Sequence, residues 1–213
     1  MPVECSTLVF DLDGTLSDPS VGICRCFNFA LEAHGFDELP LDIIASEIGQ
    51  PLDETFYKLA PQASESDVRS LIAKYRERYA EVGYSENSVY PGIQEVISRL
   101  SSAGLRLGVC TSKRQHFARK ILTLFNLLPF FEFVDGGDVG IKKSEQLFGL
   151  IEAGHIDHDA IMIGDRSVDI LSARSNGLRS VGVLWGFGST FELAEARPDY
   201  TVGKVSELVQ LVI

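Results

Sequence analysis

The sequence predicts an α/β protein: a three-layer, Rossmann-like parallel sheet with a helical domain inserted after the first strand. Three observations predict it. Apolar strand-like runs alternate with amphipathic segments from about residue 93 onward, the pattern of right-handed crossovers in a parallel sheet. Carboxylates, hydroxyls and lysines follow these runs, at the strand ends where open α/β sheets bind ligands. Residues 17–88 instead read helix after helix, with no clear strand.

The first strand is Leu8-Val9-Phe10. An unbroken apolar run suits a strand buried on both faces. It leads into Asp11-Leu12-Asp13-Gly14-Thr15. Two carboxylates so close repel each other unless positive charge lies near. A divalent cation is the natural candidate, and oxygen ligands favour Mg²⁺.

The helical stretch comes next. Residues 21–34 are amphipathic and stop near Gly35, and residues 41–48 stop at Gly49. Pro51 and Leu52 open a short helix that ends near Pro61. Ser64 and Asp67 form the N-cap region of a long helix reaching Val82. An insert between the first and second strands is well placed to act as a lid. Gln50, in the Gly49-Gln50-Pro51 loop, is a candidate for substrate specificity; a plain interhelical turn is the alternative. Tyr75 and Tyr79 share a helix face, which favours packing.

Residues 105–110, 131–134, 160–163 and 180–184 read as the next strands. Residues 93–103, 115–125, 144–153 and 168–176 read as the helices around them. Residues 199–202 add an edge strand, and residues 205–212 a last helix. The expected division is a core of residues 1–16 and 89–213 and a helical cap of residues 17–88.

Chemistry gathers at the strand ends. The second strand ends in Cys110-Thr111-Ser112-Lys113, where a hydroxyl and backbone N–H groups can bind phosphate oxygens. The fourth ends in Gly164-Asp165-Arg166-Ser167-Val168-Asp169, two more carboxylates at a helix start. Capping accounts for one of them, but not for both alongside Asp11 and Asp13. Lys142 and Lys143 open another helix, where the dipole disfavours cations. An anion that holds at least one of them would explain the placement.

Composition narrows the class. Of 213 residues, 45% are hydrophobic and 23% charged, enough for a sizeable core. The net charge of -11 opposes tight binding to a nucleic-acid polymer or an anionic membrane. A small phosphorylated metabolite remains compatible, because local cations and one metal can reverse the field in a cleft. Four cysteines form no CxxC pair. No signal-like start or membrane-length apolar span is present, so cytoplasmic is the expectation.

Together these motifs are similar to those of the haloacid dehalogenase-like hydrolase superfamily, over essentially the whole chain. Asp11-Leu12-Asp13-Gly14-Thr15 matches the first motif, Thr111 the second, a lysine at 142 or 143 the third, and Gly164-Asp165 through Asp169 the fourth. The insert resembles a C1-type cap. Tyr90-Pro91-Gly92-Ile93, Gly136-Gly137-Asp138 and the run from Val183 to Gly188 resemble the phosphoglycolate phosphatase-like branch. Many relatives carry Lys-Pro-x-Pro at the third motif, whereas Lys142-Lys143-Ser144-Glu145 has no proline. Counting back from Leu147, Leu150 and Ile151 favours Lys143, with Lys142 as the substitute.

The resemblance implies roles. Asp11 is the nucleophile and forms an aspartyl-phosphate. Asp13 protonates the leaving oxygen and later deprotonates water. Mg²⁺ binds the Asp11 carboxylate, the Asp13 backbone carbonyl and Asp165, with Asp169 direct or through water. Thr111, the Ser112 N–H and the lysine hold the phosphate oxygens. The reading is a Mg²⁺-dependent phosphatase for a small phosphomonoester, phosphoglycolate first. Alternatives are a 5′-nucleotidase of the same fold, a sugar phosphomutase and a non-catalytic binding protein.

Overall fold

The computed structural model describes residues 3–49, 51–137 and 140–213. In chain order its elements are β1 (Thr7–Phe10), β2 (Ser17–Asp18), α1 (Ser20–Ala33), α2 (Leu41–Ala45), α3 (Leu52–Leu59), α4 (Glu65–Glu81), β3 (Ser88–Val89), α5 (Ile93–Ser102), β4 (Arg106–Thr111), α6 (Gln115–Leu124), β5 (Phe133–Gly136), α7 (Lys143–Glu152), β6 (Ile161–Gly164), α8 (Ser167–Ser175), β7 (Arg179–Val183), α9 (Thr190–Ala196), β8 (Tyr200–Val202) and α10 (Glu207–Val212). The chain divides into two compact units, Met1–Asp18 with Val89–Ile213, and Pro19–Ser88.

The first unit holds a six-stranded sheet in the order β5-β4-β1-β6-β7-β8, parallel throughout. At least one helix lies between each two consecutive strands of this sheet, because parallel neighbours need a crossover. β1 is central and is buried along its length. Phe10 lies opposite Val109 on one side and Ile163 on the other. The chain therefore leaves β1 level with the ends of β4 and β6. The strand order also reverses around β1, since β4 and β5 lie to one side and β6, β7 and β8 to the other. That is the switch point where such sheets bind ligands. Val9, Cys110, Leu147, Met162 and Ala173 pack into one buried cluster that ties β1, β4 and β6 to α7 and α8.

The second unit is helical. α1 and α4 pack together around Phe27, Phe56 and Tyr75, with Phe27 at 4.8 Å from each of the other two rings. Tyr75 and Tyr79 are buried and stacked, centroids 5.8 Å apart, so their shared face serves packing. Ser64 caps α4: the Asp67 N–H donates to Ser64 Oγ at 3.2 Å, and the Ser64 N–H donates to Asp67 Oδ2 at 2.8 Å.

Two differences from the sequence reading stand out. The helix-only stretch is bracketed by two-residue strands, β2 and β3, which form a ribbon. Helix α9 was not expected, since its acidic residues and exposed Phe191 blur the apolar period. Among the described residues no cysteine forms a disulfide, and Cys24, Cys26 and Cys110 are buried. Among the described residues, no helix is long and apolar enough to cross a membrane. Gln50 and Asp138 lie outside the described residues.

Candidate active site

The site begins with the turn after β1. The Asp11 N–H donates to Ile163 O at 2.9 Å, fixing Asp11 beside the end of β6. Leu12 then turns the chain, its carbonyl accepting from the Leu16 N–H at 2.9 Å. Gly14 sits at φ +85°, a backbone that favours glycine. A Cβ on Gly14 would also collide with the Asp165 carboxylate. Thr15 Oγ1 donates to Asp165 Oδ1 at 3.1 Å. The Gly-Thr of the motif thus gives the backbone access to Asp165 and holds one of its oxygens.

The end of β6 supplies the second acidic pair. Asp165 and Asp169 are fully buried. The Phe187 N–H donates to Asp165 Oδ2 at 2.8 Å, and the Arg166 N–H donates to Asp169 Oδ2 at 3.0 Å. Glu192, in the unexpected α9, accepts from the Ser167 N–H at 2.8 Å and from Arg166 Nε at 3.0 Å. It therefore clamps the start of α8, on which Asp169 stands. Trp185 Nε1 donates to Thr15 O at 3.1 Å, bringing the loop after β7 against the first motif.

Lys143 joins the two acidic pairs. It is 3% exposed. Its Nζ bonds Asp169 Oδ1 and lies 3.0 Å from Asp11 Oδ1. The second contact lacks hydrogen-bond geometry, so Asp11 Oδ1 is a buried acceptor with no donor. Burial alone would lower the Lys143 pKa, but Asp11 and Asp169 outweigh it and hold the ammonium protonated. Lys142 is exposed at the N-cap of α7, where its backbone N–H pairs with Glu145 Oε2 at 3.2 Å. The structure brings Lys143, and not Lys142, to the carboxylates. Lys143, Gln146, Leu147 and Leu150 fall on the buried face of α7 at helical spacing.

Asp13 takes a different neighbour. Its Oδ2 lies 2.7 Å from Lys113 Nζ, while its Oδ1 is buried without a donor. Loss of surrounding water raises the Asp13 pKa, against the pull of Lys113. Thr111 is buried at the end of β4, and its Oγ1 accepts from the Lys113 N–H at 3.3 Å. Its carbonyl accepts from the Gly137 N–H at 2.8 Å and from Gln146 Nε2 at 3.2 Å. Ser112 is exposed beside it.

Three carboxylates, Asp11, Asp165 and Asp169, bring one oxygen each within 4.8 Å of one another. The Asp13 side chain lies outside that triad. Ionised, the four acids and two lysines here would carry a net charge of −2, which one divalent cation cancels. Burial, with Asp11 and Asp169 nearby, pushes the Asp165 pKa up to about 7. Asp169 is also raised by burial, in opposition to Lys143. Crowded carboxylates that resist ionisation, one with an unfilled acceptor, are what a hard oxygen-binding cation would relieve. The donor set fits Mg²⁺.

Three contributions were not legible from the motifs: the Lys113 ammonium, the Phe187 N–H and the Glu192 clamp. Lys113 stands next to the second motif, but only the parallel pairing of β1 with β4 sets it against Asp13.

Comparison with known proteins agrees with this geometry. The family model for haloacid dehalogenase-like hydrolases matches residues 8–183. A 5′-nucleotidase of Pseudomonas aeruginosa is 36% identical over 96% of this chain and 94% of its own length. A phosphoglycolate phosphatase of Agrobacterium fabrum is 30% identical over 94% of this chain and 89% of its own. A solved haloacid dehalogenase-like hydrolase from Streptococcus pneumoniae superposes with a TM-score of 0.89 at 28% identity, covering 97% of each chain. The matched span runs from β1 to the end of β7 and so contains Asp11, Asp13, Lys113, Lys143, Asp165 and Asp169, with the Glu192 clamp beyond it. The chain belongs to the haloacid dehalogenase-like hydrolase family.

Proposed function

We propose that this hydrolase is a Mg²⁺-dependent phosphatase that cleaves a small phosphomonoester through an aspartyl-phosphate on Asp11. The observation that carries this reading is the buried constellation of Asp11, Asp165, Asp169 and Lys143 at the switch point of the sheet. Asp13, two residues beyond the nucleophile and outside the triad, separates phosphoryl transfer from dehalogenation. A halide leaves without a proton, whereas an alkoxide needs one.

Asp11 attacks phosphorus through a carboxylate oxygen. The bond from phosphorus to the ester oxygen breaks, its electron pair stays on that oxygen, and Asp13 supplies the proton. Asp13, now a carboxylate, takes a proton from water as the water attacks the aspartyl-phosphate. Phosphate leaves and the Asp11 carboxylate is restored. The raised Asp13 pKa suits a group that must carry a proton in one step and accept one in the next. Thr111, the Ser112 N–H and Lys143 hold the equatorial oxygens. Asp11, Asp165 and Asp169, with the Asp13 carbonyl, would hold Mg²⁺. Bound there, the ion would offset the repulsion between an anionic nucleophile and an anionic phosphate.

Phosphoglycolate is the first substrate in this reading, and the helical insert of residues 17–88 supplies discrimination. A 5′-nucleotide is the second, favoured by the similarity to the P. aeruginosa enzyme. The test is phosphate release from 2-phosphoglycolate, nucleoside monophosphates, sugar phosphates and an aryl phosphate, with Mg²⁺ or EDTA. Asp11→Asn is run beside the wild type. We expect Mg²⁺-dependent release that Asp11→Asn abolishes. Near-wild-type release by that variant, or full turnover in EDTA, would defeat the proposal.

A further inference from the structure

The segment after β7 grips the Asp165–Asp169 turn at two points. The Phe187 N–H donates to Asp165 Oδ2 at 2.8 Å. Five residues on, Glu192 Oε1 accepts from the Ser167 N–H at 2.8 Å and from Arg166 Nε at 3.0 Å. The approach between these points is close, since a Cβ on Gly186 or Gly188 would collide with Asp165. Glu192 is itself fixed: its N–H donates to Ser189 Oγ at 3.0 Å, at the start of α9.

The N–H groups of a helix's first turn need acceptors from outside the helix ladder. Arg166 stands at the N-cap of α8, and its side chain only donates. An Asp or Ser there would cap the helix locally. Here the acceptor for the Ser167 N–H comes from α9 instead. A carboxylate this near Asp165 and Asp169 adds to their repulsion, and the Arg166 guanidinium on the same oxygen offsets it. Within the turn, the Arg166 N–H donates to Asp169 Oδ2 at 3.0 Å. Moving Asp169 away from Asp165 therefore shifts the start of α8 and strains the bonds to Glu192. We propose that Glu192 is a positioning residue that sets the spacing of Asp165 and Asp169, and through it the selectivity of the site for Mg²⁺ against Ca²⁺. The inference rests on Asp165 and Asp169 holding Mg²⁺, as in the function proposed above. Mg²⁺ demands near-octahedral oxygens at about 2.0–2.1 Å, whereas Ca²⁺ accepts about 2.3–2.6 Å in a flexible geometry. A rigid frame favours the smaller ion, and a loosened frame gives up that advantage.

The experiment is calorimetric titration of the EDTA-treated, dialysed protein with Mg²⁺ and, separately, with Ca²⁺, well below the melting temperature. It compares the ratio of the two Kd values in wild type, Glu192→Ala and Glu192→Gln. Glutamine keeps an acceptor oxygen for the Ser167 N–H. Loss of an outer partner of a metal ligand costs about 10- to 100-fold in affinity. We expect Glu192→Ala to weaken Mg²⁺ by about that factor and Ca²⁺ by much less, so that the selectivity falls about tenfold, and Glu192→Gln to retain most of it. Glu192→Asp, one methylene short of Ser167, should show the same fall and replaces Glu192→Ala if that variant does not fold. A purely structural role lowers the Tm in EDTA but leaves the ratio at its wild-type value, and that result would overturn the inference. So would a glutamine variant as unselective as the alanine variant. A wild type that binds neither ion removes Mg²⁺ from the proposed function and the inference with it. A wild type that binds Mg²⁺, beside Glu192→Ala or Glu192→Asp with an unchanged ratio, sinks only the role of Glu192.

Discussion

Neutralising Asp165 is expected to make the metal-free protein more stable at alkaline pH while removing its response to Mg²⁺. The carboxyl is fully buried, and burial with Asp11 and Asp169 nearby lifts its pKa from 3.8 to about 7. The folded state therefore holds a proton that the unfolded chain releases. For such a raised group, stability is complete below the unfolded pKa and is lost as pH rises through the folded one. The whole difference corresponds to about 4 kcal/mol. About 2 kcal/mol of it falls between pH 5.5 and 8. Carboxylates held low by partners, Glu86 by Arg78 and Asp67 by Ser64, act in the opposite sense but titrate below this window. Asp165→Asn keeps the shape of the side chain. Its amide oxygen can still accept from the Phe187 N–H, and its NH₂ can donate to Thr15 Oγ1. The assay is thermal melting in EDTA and in excess Mg²⁺ at pH 5.5 and 8. In EDTA the wild-type Tm should fall by about 4–8 °C across that range, for a chain of this size. Asp165→Asn should lose most of that fall and melt above wild type at pH 8. Added Mg²⁺ should raise the wild-type Tm more at pH 8 than at pH 5.5, and should do little for the variant. A wild-type Tm that holds or rises from pH 5.5 to 8 in EDTA would refute the reasoning. An equal Mg²⁺ shift in both proteins would refute the ligand assignment.

Three further outcomes follow from the same geometry. Lys143→Ala leaves Asp11 and Asp169 as uncompensated buried charges, so denaturant melts should show a loss of about 3–5 kcal/mol together with lost turnover. Lys142→Ala should stay within about 0.5 kcal/mol of wild type and keep its activity; a large loss from Lys142→Ala would reverse the assignment. Gly14→Ala adds a Cβ at φ +85° that collides with Asp165. It should cost more than about 2 kcal/mol and abolish the Mg²⁺ shift in Tm, and a wild-type shift would show that the turn does not shape the site.

Much of the site was legible because its residues follow apolar runs that can only be buried strands. Leu8-Val9-Phe10 and residues 160–163 announced β1 and β6 within a residue of their ends, and the acids come directly after. Lys143 could be preferred over Lys142 from the apolar positions downstream, because burial on a helix follows a period of 3.6. What escaped depends on pairing across the sheet. No local pattern tells Lys113 that Asp13 is its neighbour; only the register of β4 against β1 does. The Phe187 N–H is a backbone group, and composition does not mark it. Helix α9 carries one local signal, Ser189 three residues before Glu192, with the Glu192 N–H donating to Ser189 Oγ at 3.0 Å. The strands β2 and β3 are two residues each, too short for any alternation to register.

The nucleophile is tested most directly by acid-quenching the enzyme during turnover of an aryl phosphate and mapping bound phosphoryl groups by peptide mass spectrometry. We expect one phosphoryl group on the peptide containing Asp11, removed by hydroxylamine and absent from Asp11→Asn. A phosphoryl group on any other residue, or burst kinetics with no phosphorylated peptide, would contradict the covalent role of Asp11.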